Sequence, residues 1–162
     1  MHLALMEPTD AKATTQVAAL CADSGTSLHI IGPTDLPMTA LEGKEAEGKL
    51  DLWIHPDWFE FRRAIARERC YYFSPDGGKA VEEARLRPTS VLMFSATGDL
   101  PERIKEKYPT RIYKLPASGV AGVKAVLEAA MARVGSRGQE REGGASRPAA
   151  AAKPRGRPRR SR

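Results

Sequence analysis

Cysteine and histidine are scarce in this chain of 162 residues, which has two cysteines and three histidines. Cys21 and Cys70 stand in separate apolar stretches without the spacing of metal ligands, which predicts buried free thiols in a reducing compartment. His2, His29 and His55 are scattered along the sequence and form no recognisable catalytic arrangement. His29, inside an apolar run, is predicted to be a core histidine, and no metal site is indicated.

Long apolar runs are also missing. No stretch is long enough to cross a membrane, and the start MHLALMEP lacks the basic region of a signal peptide. We therefore expect a cytoplasmic protein with no membrane partner.

The last part of the chain lacks aromatic residues. Residues 135–162, GSRGQEREGGASRPAAAAKPRGRPRRSR, cannot bury a core, whereas the 41% hydrophobic content of the whole chain is enough for one. The sequence thus predicts a folded domain over residues 1–134, followed by a disordered basic tail rich in Arg, Pro and Ala over residues 135–162.

Charge separates the same two parts. Residues 1–134 hold 17 Lys and Arg against 18 Asp and Glu, whereas residues 135–162 hold 9 against 2, so the excess of +6 comes from the tail. A polyanion is the expected partner. The run 155–158, Arg-Gly-Arg-Pro, also resembles an AT-hook for A·T-rich DNA, but we favour nonspecific binding of RNA or DNA. The predicted nucleic-acid-binding residues are Lys153, Arg155, Arg157, Arg159, Arg160 and Arg162.

Short apolar runs alternate with helical patterns over residues 1–134, which predicts an α/β fold built on a parallel sheet. Helices are predicted after Thr9 or Asp10 up to Gly25, within PDWFEFRRAIARER, within LPERIKEKY, and over residues 119–134. Residues 35–50 are predicted to be a loop or a short helix, and PDGGK (75–79) a turn, because it lacks essential residues of a phosphate loop. The predicted strands are Leu3–Met6, Leu28–Ile31, Leu52–Ile54, Cys70–Phe73, Val91–Phe94 and Ile112–Leu115.

Three segments carry a resemblance to a known family. LALMEPTDAKATTQVAALCADSGTSLHIIGP (3–33), VLMFSATGDLP (91–101) and YKLPASGVAGVKAVLEAAMARVG (113–135) resemble SPOUT-class, SpoU/TrmH-type RNA ribose 2′-O-methyltransferases. The similarity is greatest to the branch that methylates the wobble nucleotide of tRNA. It implies a parallel sheet with a C-terminal trefoil knot, S-adenosylmethionine held in the knot, and a homodimer packed through the first and last helices.

The first motif of that family has lost its polar side chains in this sequence. The family carries Asn, then Gly two residues on and Arg four residues later, at positions that are here Ala13, Thr15 and Ala19. That Arg is implicated in activating the ribose hydroxyl, which an alanine cannot do. The resemblance therefore implies no catalytic residue at position 19. An active enzyme would need a replacement for the arginine, and Lys12 or Arg103 could be named for it only as a guess.

The second and third motifs are changed as well. Phe-Gly-Pro-Glu of the family is here Phe94-Ser95-Ala96-Thr97, and a longer polar loop is reduced to residues 117–121 before the last helix. The backbone of these loops can still hold the cofactor. By resemblance, the residues expected to bind S-adenosylmethionine, if the pocket is retained, are Phe73, Ser95, Thr97, Gly98, Leu115, Ala117, Ser118 and Gly119.

Two functions follow from these observations. We expect a catalytically impaired SPOUT-fold protein, a pseudoenzyme, that acts as a dimer and binds nucleic acid through its tail. The alternative is an active S-adenosylmethionine-dependent ribose 2′-O-methyltransferase of tRNA or rRNA. A structural protein without nucleic acid would leave the tail unexplained.

Overall fold

Six β-strands alternate with helices in the computed structural model, which describes residues 1–32, 41, 47–96 and 98–142, with side chains up to residue 136. Each strand coincides to within one residue with a stretch predicted from the apolar pattern, so these predictions are confirmed. The strands are β1 (His2–Met6), β2 (Ser27–Ile31), β3 (Leu52–His55), β4 (Cys70–Ser74), β5 (Val91–Ser95) and β6 (Ile112–Lys114).

The strands form one parallel sheet in the order β3-β2-β1-β5-β4-β6, which confirms the predicted α/β class. At its centre, Leu5 of β1 pairs with Ile30 of β2 on one side and with Phe94 of β5 on the other. A parallel sheet is covered on both faces, so its strands are apolar throughout instead of alternating. Strand β4 shows this pattern, because all five of its residues are buried.

The helices begin and end at residues that cap them. Helix α1 (Ala11–Ser24) begins after Asp10, whose side chain accepts a hydrogen bond from the Ala13 N–H. It ends at Gly25, whose φ of 63° suits glycine. The other helices are α2 (Trp58–Ala64), α3 (Glu102–Lys107) and α4 (Gly119–Glu142).

The predicted helices are all present, but α4 continues to Glu142 instead of ending at residue 134. The prediction for residues 35–50 lies mostly outside the described residues, as do the predicted tail ligands at 153–162. Within the described residues, no helix has both the length and the apolar character to cross a membrane.

Two apolar cores lie on the two faces of the sheet. One contains Leu3 and Leu92 of the sheet with side chains of α1 and α4, such as Val17 and Val126. The other contains Met93 of the sheet with Phe61 and Ile104 of α2 and α3. The result is a three-layer α/β/α arrangement, in which the helices hold the loops at the strand ends in place.

Cys21 and Cys70 are free and buried, as predicted. Burial raises the pKa of Cys21 to about 12 and also raises the pKa of Cys70, so both thiols stay protonated near neutral pH. Protonated, buried thiols are poor nucleophiles and poor metal ligands. These cysteines therefore serve as small core residues.

Three histidines that are far apart in the sequence meet on one face of the sheet. Nδ1 of His29 lies 2.9 Å from Nε2 of His55, and Nε2 of His29 lies 3.0 Å from Nδ1 of His2. His29 is only 2% exposed, which confirms it as a core histidine. A neutral imidazole has one donor and one acceptor, so neutral His29 satisfies both hydrogen bonds at once.

Burial lowers the pKa of His29 to about 4, and the neighbouring His2 and His55 act in the same direction against the opposing Asp51. Because this value is below the ordinary 6.5, protons bind the unfolded state more readily than the folded state. The stability that neutral His29 contributes is thus complete above pH 6.5 and is lost as the pH falls from 6.5 towards 4.

The variant His29→Gln tests this linkage, because glutamine keeps a donor and an acceptor but does not titrate. Between about pH 7 and pH 4.5, we expect the free energy of unfolding to fall by about 2 kcal/mol more in the wild type than in the variant. Urea unfolding at both pH values measures the difference, and the carboxylates common to both proteins cancel. If the free energy of unfolding falls by the same amount in both proteins, His29 does not take up a proton on unfolding, and the linkage is contradicted.

Candidate functional site

A cavity of about 270 Å³ lies at the carboxyl-terminal edge of the sheet, where strands end and helices α1 and α4 begin. In parallel α/β sheets, this edge is where ligands bind. The cavity draws on all three segments that resemble family motifs. It is lined by Leu5, Pro8, Thr9, Asp10, Ala13, Thr14, Val17, Phe73, Pro75, Phe94, Ser95, Ala96, Gly98, Leu115, Ser118, Gly119, Val120 and Val123.

Aromatic rings form part of the cavity wall. Phe73 of β4 and Phe94 of β5 pair in the sheet, and their rings stack with centroids 5.1 Å apart and an angle of 16° between them. Leu5 and Val17 add aliphatic surface from β1 and α1. The wall is therefore predominantly apolar, as in pockets that accept planar organic rings.

The loop after β5 is held by backbone hydrogen bonds. The Ala96 N–H donates to the Met6 carbonyl at 3.0 Å, and the Gly98 N–H donates to the Ser95 carbonyl at 3.1 Å. Gly98 has a φ of 80°, a conformation that side chains with a Cβ adopt only under strain. Ser95 and Gly98 line the cavity as their predicted role requires, whereas Thr97 lies outside the described residues.

The shortened segment before α4 closes the other side of the cavity. Leu115, Ser118 and Gly119, all predicted ligands, line it, but Ala117 does not. The carbonyl of Ala117 instead lies against Gly122, where an added Cβ would overlap it. This close approach explains a glycine inside the first turn of α4.

The first turn of α1 contributes backbone and small side chains. Thr14 donates its hydroxyl to the Asp10 carbonyl at 2.7 Å, and Thr15 donates its hydroxyl to the Ala11 carbonyl at 2.8 Å. Of the three positions equivalent to the first motif, Ala13 lines the cavity, whereas Thr15 and Ala19 do not.

Asp10 is the only ionisable side chain among the described residues that line the cavity. It also caps α1, which accounts for its position. Lys12 and Arg103, considered as substitutes for the family arginine, are exposed and lie outside the lining. The described part of the cavity thus offers no Lys, Arg, His, Cys or Tyr to a reacting group. Nor do the described residues contain a cluster able to hold a metal ion.

A polar cluster beside the cavity ties together the loops that follow β4 and β5. Ser74 donates hydrogen bonds to Asp76 and Asp99, and Nζ of Lys105 lies 3.1 Å from Asp76 and 2.7 Å from Asp99. The Gly77 N–H donates to the Ser74 carbonyl, so PDGGK is a turn, as predicted. No local pattern in the sequence indicates the cluster, because its members follow two different strands.

The charges in this cluster support one another. The hydroxyl of Ser74 and then the ammonium of Lys105 lower the pKa of Asp76, and Lys105 chiefly lowers the pKa of Asp99. Both carboxylates in turn raise the pKa of Lys105. The cluster therefore holds the loop around Gly98 through electrostatic contacts at the protein surface.

The variant Lys105→Met tests this contribution, with Arg103→Met on the same helix as the matched control. Lys105→Met leaves two neighbouring carboxylates uncompensated, so we expect it to lower the midpoint of thermal unfolding by a few degrees. The difference should largely disappear in about 1 M salt, where charges are screened beyond about 3 Å. Equal effects of the two variants, or a loss that salt does not change, would contradict a role for the ion pairs.

Comparison with known proteins supports the family suggested by the motifs. No protein-family model matches the chain. The tRNA (cytidine(34)-2'-O)-methyltransferase of Burkholderia ambifaria is 27% identical over 115 residues, which are 67% of this chain and 74% of that protein.

Solved structures agree with this relationship. A structure that concerns the 2-OH methylation of C/U34 on tRNA matches with a TM-score of 0.71 and 26% identity, covering 84% of this chain and 96% of that one. The SpoU methyltransferase AviRb from Streptomyces viridochromogenes, solved with AdoMet, matches with a TM-score of 0.63 and 16% identity. That match covers 84% of this chain and 61% of AviRb, and it supports the fold alone. With its motif-like segments around one cavity in a parallel sheet, the chain is similar in sequence and fold to SpoU/TrmH-type RNA 2′-O-methyltransferases of the SPOUT class.

Proposed function

We propose that this chain is a SPOUT-family protein that has lost methyl transfer and acts as a homodimer that binds nucleic acid. The observation that carries the proposal is the chemistry of the cavity. Among the described lining residues, the only ionisable group is Asp10, which caps α1.

Methyl transfer to a ribose hydroxyl requires that the hydroxyl lose its proton and that the developing negative charge be stabilised. A cationic side chain at the family's arginine position would stabilise the negative charge. Position 19 of this chain is alanine, however, and it lies outside the cavity. The carboxylate of Asp10 would repel a developing oxyanion. The described lining of the cavity therefore offers none of the cationic groups that would stabilise this charge.

The same cavity still fits part of S-adenosylmethionine. Phe73 and Leu115 offer apolar surface to a purine ring, and the hydroxyls of Ser95 and Ser118 suit a ribose. The backbone at Gly98 and Gly119 is open to close approach. No described cation faces the carboxylate of the cofactor's amino-acid end. When bound, S-adenosylmethionine would supply an activated methyl group, and we expect this chain to bind it without transferring that group.

A trefoil knot like that of the family is part of the proposal. It is supported by the close passage of the segment after β4 across β6. An added Cβ at Gly77 would overlap the carbonyl of Tyr113, and Lys79 forms a bridge with Tyr113. Helices α1 and α4 pack side by side on one face, where a dimer through the first and last helices would form.

RNA is the partner that we favour, with DNA as the other polyanion that the tail could bind. The relatives named above are a tRNA methyltransferase and a protein whose structure concerns tRNA methylation. The cationic excess of this chain lies in residues 143–162, which hold seven Lys and Arg and no Asp or Glu. A cytoplasmic location is consistent with an RNA partner and stays part of the proposal.

Removal of residues 143–162 tests the role of the tail. The truncated chain keeps α4 complete and has a net charge of −1, so we expect its affinity for tRNA to fall at least 100-fold at about 0.1 M salt. Fluorescence anisotropy with labelled tRNA measures the loss.

The matched control keeps the length of the tail and replaces its six predicted ligands (Lys153, Arg155, Arg157, Arg159, Arg160 and Arg162) by glutamine. It should bind almost as weakly as the truncated chain. A second variant, Gly156→Ala, separates the two kinds of binding, because only an AT-hook needs glycine there. Undiminished binding of tRNA by the truncated chain would overturn the role of the tail.

A further inference from the structure

Two clefts, each of about 350 Å³, lie at the amino-terminal edge of the sheet, opposite the candidate site. One is lined by Arg67, Arg69, Arg85 and Arg87, which lie in the segments leading into β4 and β5. The other is lined by His2 and Arg63 and shares Arg67 and Glu68 with the first, so the clefts are continuous. We call Arg63, Arg67, Arg69, Arg85 and Arg87 the arginine edge.

Most of these arginines are not neutralised by the protein. Within the described residues, no carboxylate lies within salt-bridge distance of Arg67, Arg69, Arg85 or Arg87, whereas Arg63 pairs with Glu60 at 2.7 Å. Glu83, close in sequence to Arg85, instead accepts a hydrogen bond from the Ala80 N–H. Among the described residues that line the two clefts, Glu68 is the one acidic residue.

The backbone that carries the arginines is fixed. The buried Tyr71 donates its hydroxyl to the Arg85 carbonyl at 2.6 Å, and the guanidinium of Arg69 lies 5.6 Å from the centre of the Tyr71 ring. Ser90 accepts a hydrogen bond from the Arg87 N–H and donates its own N–H to the Arg87 carbonyl. The backbone at Arg85 and Arg87 is thus set before any ligand binds, so binding does not have to order this segment of the chain.

We propose that the arginine edge binds the phosphate backbone of RNA. Guanidinium groups match the geometry of phosphate oxygens, and unneutralised arginines gathered on a nearly neutral domain favour an anionic ligand. Two continuous clefts suit an extended chain of phosphates better than a single anion. The arginine edge would be a second RNA-binding surface besides the tail, and this inference rests on the proposed binding of nucleic acid.

The end of helix α4 lies towards the same edge. Helix α4 begins at the cavity, and Val123, Val126, Leu127 and Ala130 pack it along the sheet. Its 24 residues span about 36 Å, whereas a five-residue strand spans about 17 Å. The last turns of α4 therefore reach beyond the strands on the side of the arginine edge, and the cationic residues 143–162 follow Glu142 in the sequence.

The test uses the full chain with Arg85→Gln and Arg87→Gln together, and Arg103→Gln with Lys114→Gln as the matched control. All four side chains are exposed, and the control removes the same charge at the opposite edge. With labelled tRNA at about 0.1 M salt, we expect the first pair to weaken binding about tenfold. The slope of log affinity against log salt should fall by about 1.5. The control should change affinity less than twofold.

Introducing Arg85→Gln and Arg87→Gln into the chain whose six predicted tail ligands are glutamine separates this proposal from the role of the tail. If the arginine edge contributes on its own, Arg85→Gln with Arg87→Gln weakens binding in both backgrounds, even where the tail proves dispensable. Binding unchanged by the pair, or an equal loss in the control, would overturn the arginine edge and leave the tail unaffected. Binding to anionic phospholipid vesicles instead of tRNA would also overturn it.

Discussion

The parallel arrangement of the strands is the constraint on which the rest of the molecule depends. Because all six strands run in one direction, their carboxyl ends lie at one edge and their amino ends at the other. The loops that resemble family motifs gather around one cavity, and the segments that carry the arginines gather at the opposite edge. The pairing of β1 with β5 at the centre of the sheet helps to position both the cavity and the arginine edge.

The fold resembles that of the similar proteins, whereas the side chains at the positions equivalent to their motifs differ. Stability comes from the apolar cores on the two faces, to which residues such as Phe61 and Val126 contribute while fully buried. The motif positions, Ala13, Thr15 and Ala19 among them, are only partly buried at the surface of α1. Substitutions there remove functional groups without opening a cavity in the core, so a family fold does not guarantee the family's reaction.

Local patterns in the sequence predict most of the fold. Runs such as VLMF signal strands buried on both faces, and Asp10 and Gly25 mark the ends of α1, because these signals act within a few residues. Local patterns do not predict the end of α4, because residues 135–142, GSRGQERE, contain two glycines that disfavour a helix and no apolar side chain to signal packing.

Clusters from separate segments could not be predicted in this way. The contact of His29 with His2 and His55 depends on the register of three strands, and Lys105 meets Asp76 only because β4 pairs with β5. The arginine edge has the same origin, since Arg67 and Arg85 precede different strands. Only the tertiary structure brings such residues together.

Methyl incorporation tests the central claim most directly. The full chain would be incubated with bulk tRNA and S-adenosylmethionine labelled in its methyl group, beside an active wobble-ribose methyltransferase. We expect no label in RNA above background, because no cationic side chain in the described cavity can stabilise the attacking oxygen. Incorporation that rises with the amount of this protein would contradict the loss of catalysis and show that another group replaces the family arginine.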